Sequence, residues 1–248
     1  MTAPRMTSDR SVDALPTPWQ RLLALSGVAS AVLLVVGFLI SGSDAPDYMA
    51  ADQDWTNWAI ESQSTGQIGA LLTLVAGFVF LHFAGMIRTV LGSVEATVRG
   101  AVQLARVALA GALIGIAGIT MAIVTISAAS VEGADADPVV SRAVATATTG
   151  MFLVAAMGFA AMLAAAGVVI LRSGIFARWI GIVALIGALA FFLTFFTLVE
   201  GTTEDSVFGY GFFAGFLALG TWLIATSMAT YRAVATIPRE SIATQADS

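Results

Sequence analysis

The chain has 248 residues, of which 58% are hydrophobic and 11% are charged. Soluble proteins carry about 25% charged residues, so a soluble globule, a nucleic-acid-binding protein and a disordered chain are all excluded. Cysteine and lysine are absent, and His82 is the one histidine. The composition therefore excludes thiolate chemistry, cysteine-ligated metal sites and lysine Schiff bases, and we expect no cofactor and no metal.

Six uncharged apolar runs have the length that a transmembrane helix needs, which is about 20 residues for a hydrocarbon layer of about 30 Å. They are Leu22 to Ile40, Gly66 to Ile87, Val107 to Ala129, Ala147 to Leu171, Trp179 to Val199 and Val207 to Thr230. None of them contains Asp, Glu or Arg. The sequence predicts an all-α membrane protein, a six-helix bundle over residues 22–230 between an N-terminal tail, 1–21, and a C-terminal tail, 231–248.

The placement of the arginines predicts the orientation, because basic residues stay on the cytoplasmic side of a membrane. Ten of the eleven basic residues fall in the two tails and the even-numbered connections, and Arg142 lies on the other side. We therefore expect a multi-pass cell-membrane protein with both termini in the cytoplasm. The first run exceeds the 7 to 15 apolar residues of a signal peptide, so it should remain as an uncleaved anchor; cleavage would leave five spans.

Two glycine-containing segments have the spacing of helix-packing surfaces. Gly111 and Gly115 are followed by Gly118 in the third span, and Gly211 and Gly215 lie in the sixth. Small residues let membrane helices approach closely. Because glycine is frequent throughout the chain, packing within the chain is favoured over a dedicated dimer motif.

His82 is the one titratable candidate for chemistry inside the six spans, about 9 Å from Arg88 along the helix at 1.5 Å per residue. An imidazole at this depth suits a proton relay or a hydrogen bond to a quinone, which makes His82 a weak candidate for cofactor binding. The interpretation that we favour is a neutral imidazole bonded to a neighbouring helix. Ion pumping is disfavoured, because pumps usually keep a carboxylate or arginine at mid-depth.

Three outer-side residues are further candidates for a role in function. Glu200 directly follows the fifth span and could face water or the mouth of the bundle; a solvated loop charge is the favoured interpretation, since a calcium site needs more ligands at short spacing. Trp55 and Trp58 would share one face of a short helix lying on the outer surface. Such a helix is either an interfacial anchor or a lid or docking element.

Three segments resemble a family of uncharacterised six-helix membrane proteins, domains of unknown function common in actinobacteria. They are Ser43-Asp-Ala-Pro-Asp47, Phe80-Leu-His-Phe-Ala-Gly-Met-Ile-Arg88 with Glu95 soon after, and Leu171-Arg-Ser-Gly-Ile-Phe-Ala-Arg-Trp-Ile-Gly181. The family pattern has proline where this chain has Ala177 and an aromatic residue at the position of His82. The resemblance implies the six-helix fold and brings no known activity.

The absence of charged residues from the six spans and of catalytic motifs from the sequence favours a non-enzymatic role. We expect an accessory or interaction subunit whose partners are the lipid bilayer and other membrane-protein subunits. One alternative is a carrier or binding protein for an apolar small molecule or lipid, with a cavity lined by Phe191, Phe192, Phe195 and Phe196. Another is a quinone-linked membrane redox protein that uses His82.

Overall fold

The computed structural model describes residues 18–42, 50–132, 137–197 and 209–235, and these residues form α-helices and no strand. The helices are α1 (Pro18–Gly42), α2 (Asp52–Glu61), α3 (Gln63–Gly92), α4 (Ala101–Glu132), α5 (Pro138–Ser173), α6 (Arg178–Leu193), which continues into a 3₁₀ turn (Thr194–Phe196), and α7 (Gly209–Ala235). All except α2 are long and apolar enough to cross a membrane. The predicted all-α, six-span architecture is confirmed, and the chain is a multi-pass membrane protein.

Several membrane helices extend well past the apolar runs that predict them. The longest, α5, has 36 residues and a length of about 54 Å, against about 30 Å of hydrocarbon. It begins at Pro138, where proline suits the first helical position and the Asp137 side chain accepts a hydrogen bond from the Val139 amide at 2.8 Å. It ends at Gly174, whose φ of 68° is left-handed and favours glycine.

The six membrane helices form a closed ring. Each packs against its neighbours in sequence, and α7 packs back against α1. Glycines set the closest approach: a Cβ on Gly111 would lie 2.5 Å from the Gly158 carbonyl oxygen, and one on Gly211 would lie 2.8 Å from the Ala190 carbonyl oxygen. The prediction that these small residues pack helices within the chain is confirmed for the pairs α4–α5 and α6–α7.

Aromatic side chains fill the interior of this ring. They come from α3, α5, α6 and α7, and neighbouring rings meet at centroid distances between 5.6 and 6.1 Å. In order of contact they are Trp222, Phe83, Phe80, Phe159, Phe191 and Phe216, the last again on α7. All except Phe216 are fully buried. Side chains therefore occupy the space at this level of the bundle.

Candidate functional site

His82 lies on the outer side of α3, away from the aromatic interior. Its side chain is exposed, as is that of Phe78, which is 66% exposed one turn earlier. Nδ1 lies 3.0 Å from the Phe78 carbonyl oxygen, and the two rings meet edge to face at 4.9 Å. The expected bond to a neighbouring helix is wrong, because the imidazole is bonded within its own helix.

This hydrogen bond determines the tautomer of His82. A carbonyl oxygen can only accept, so Nδ1 carries the hydrogen and Nε2 of the neutral ring has a free lone pair. Within the described part of the chain, Nδ1···O is the hydrogen bond that the imidazole makes. In this tautomer Nε2 is an acceptor on an exposed side chain, and an unpaired polar atom is costly wherever water cannot reach it.

The surface around His82 has room for another helix. One face of α3 carries four exposed residues, Phe78, His82, Gly85 and Thr89. They share this face because they follow one another at spacings of four, three and four residues. A Cβ added to Gly85 would meet no atom within 4 Å. A helix lying here could come close at Gly85 and donate a hydrogen bond to Nε2.

The proposed phenylalanine cavity is not formed. Phe191 is 0% exposed within the aromatic interior, whereas Phe192 and Phe196 are 52% and 44% exposed and meet each other on the outside of α6 at 6.3 Å. Helical geometry is the reason, because adjacent residues point about 100° apart. Phe191 therefore does not line one cavity together with Phe192 and Phe196.

Trp55 and Trp58 do lie on a short helix, α2, which packs against α5 and α4. The two rings meet edge to face at 5.9 Å, and Trp55 is 9% exposed. Burial against protein does not fit an interfacial anchor, so that interpretation is wrong for Trp55. The side chain instead attaches α2 to the end of the bundle.

Polar contacts strengthen this attachment of α2 to α5. Arg142 Nη1 donates to Asp52 Oδ1 at 2.8 Å in the ion pair found among the described residues. The hydroxyls of Thr56 and Ser141 lie 3.5 Å apart. Arg142, the basic residue on the acidic side of the molecule, thus helps to hold α2 against α5.

Two further observations concern possible ligand sites. Glu200 lies outside the described residues. Among the described residues no group of three or more His, Asp and Glu side chains is placed to hold a metal ion.

One cavity of about 570 Å³ lies at the end of the bundle where α3, α5 and α7 finish. The sequence did not predict it, because its lining comes from three distant segments of the chain.

Comparison with known proteins identifies a family without identifying an activity. A family model described as Domain of unknown function (DUF4386) matches residues 22–227. All three motifs on which the resemblance rests lie inside this range. No curated protein matches the chain, and no solved structure does so either.

Proposed function

The chain belongs to the DUF4386 family, a domain of unknown function, and we propose that it is a non-enzymatic accessory or interaction subunit of a membrane complex. The observation that carries the proposal is the exposed His82, whose imidazole makes its hydrogen bond among the described residues through Nδ1, on the same face of α3 as Gly85, where an added Cβ would meet no atom within 4 Å. A polar group inside a membrane is rare and usually has a partner. We propose that this partner is a transmembrane helix of another protein that offers a hydrogen-bond donor.

The filled interior supports this role. Trp222, Phe80 and Phe159 take part in the ring of aromatic contacts and are fully buried. A substrate path through the middle of the bundle would require these side chains to move apart. A role that uses the outer surface of the bundle requires no such rearrangement.

The charges support an orientation in the cell membrane with both termini in the cytoplasm. The end at which α1 begins and α7 finishes carries seven arginines among the described residues: Arg21, Arg88, Arg99, Arg106, Arg172, Arg178 and Arg232. The opposite end carries Arg142, which is paired with Asp52. This asymmetry is the one that retains the arginine-rich end on the cytoplasmic side.

Purification from native membranes tests the proposal. The chain, His82→Phe and His82→Gln are extracted in mild detergent, and associated membrane proteins are quantified by mass spectrometry. Phenylalanine keeps a planar ring without an acceptor, whereas glutamine keeps an acceptor. We expect one membrane protein to be retained by the native chain and by His82→Gln and to be reduced about threefold by His82→Phe, since an interhelical hydrogen bond in lipid is worth about 0.6 kcal/mol.

The same preparations distinguish the alternatives. A native chain that is recovered alone, or a partner whose retention is equal in all three preparations, contradicts a docking role for His82. Detection of a quinone in lipid extracts of the purified native chain, in a smaller amount in extracts of His82→Phe, would also contradict a docking role for His82. Such a result would favour the quinone-linked redox alternative, because a hydroquinone hydroxyl can donate to the same nitrogen.

A further inference from the structure

We draw no further inference here: the strongest candidate, the apolar groove at the end of the bundle where α3 and α7 finish and α5 connects to α6, carries none because nothing in the described part of the chain shows what covers it.

Discussion

Ser227 of α7 directs its hydroxyl at Gly27 of α1, at the seam where the ring of helices closes. A Cβ added to Gly27 would collide with Ser227 Oγ and would lie 2.6 Å from Cδ2 of Phe83. Ser227 is fully buried, and its Oγ has no hydrogen-bond partner among the described residues. The seam is therefore closed by tight packing, with no hydrogen bond from this serine.

Two buried serines should respond differently to substitution by alanine. Ser30 Oγ donates to the Ala76 carbonyl oxygen at 3.2 Å between α1 and α3, whereas Ser227 has no such bond. Ser30→Ala should lower the free energy of unfolding by about 0.6 kcal/mol, the average for an interhelical hydrogen bond in a membrane. Ser227→Ala should leave it unchanged or raise it, because it removes an unpaired buried hydroxyl. Unfolding in mixed detergent micelles measures both, and an equal loss in the two variants would contradict this assignment.

Two glycines of α5 provide a test of the α4–α5 contact. A Cβ on Gly158 would collide with the Gly115 amide nitrogen, whereas one on Gly150 would meet no atom within 4 Å. Gly158→Ala should therefore cost about 1 to 3 kcal/mol through overpacking. Gly150→Ala should stabilise the helix by about 0.5 kcal/mol, because alanine loses less entropy on folding. Thermal unfolding in one detergent should show Tm shifts of opposite sign; two decreases of similar size would argue against the close approach at Gly158.

The ion pair between Asp52 and Arg142 should control the attachment of α2. Both side chains are partly exposed, 37% and 44%, so the pair is worth at most about 1 kcal/mol. Asp52→Asn should increase amide hydrogen exchange in α2 a few-fold while exchange in the middle of α5 stays constant. The double variant Asp52→Arg with Arg142→Asp, which swaps the two charges, should restore the protection of the α2 amides against hydrogen exchange. Protection that is insensitive to Asp52→Asn would mean that the ion pair does not hold α2 and that its other contacts, such as the packing of Trp55, do so.

Glu95 should make the turn between α3 and α4 sensitive to acid. The backbone amides of Val102 and Gly100 donate to its carboxylate and hold its pKa below the ordinary value of 4.5. A lowered folded-state pKa means that this stabilisation is present above pH 4.5 and is lost as the pH falls through the lowered value. At neutral pH, the amide hydrogen of Val102 should therefore exchange with solvent faster in Glu95→Gln than in the native chain. The difference should disappear in acid; a difference independent of pH would exclude the carboxylate as its source.

Most of the fold follows from the sequence, because hydrocarbon allows few solutions for the backbone. Six uncharged runs predict six helices, since every backbone group in a bilayer must be bonded internally. The ends of the helices are less predictable: backbone hydrogen bonding extends α5 back to Pro138, well before its apolar run begins at Ala147. The Asp-Pro pair at 137–138 is the local signal for that start.

The rotation of side chains about their helices could not be predicted from this sequence. Between Gly66 and Ile87 the polar side chains of α3 are those of Gln67, Thr73 and His82, too few to define a polar face that would indicate that Phe83 points inward while His82 points outward. The split between Phe191 and Phe192 has the same origin. Which face is inside depends on neighbouring helices, above all on the glycines that let α4 and α5 approach.

The most direct test of the proposed interaction at His82 is photo-crosslinking from the face that carries it. Benzoylphenylalanine replaces Phe78 on the His82 face of α3 and, as a control, the equally exposed Phe213 on α7, and native membranes are irradiated. We predict an adduct with one different membrane protein at position 78, with a yield that falls about threefold when His82→Phe is added, and no such adduct at position 213. Adducts with lipid alone at position 78, or with a second copy of this chain, would contradict the proposed role.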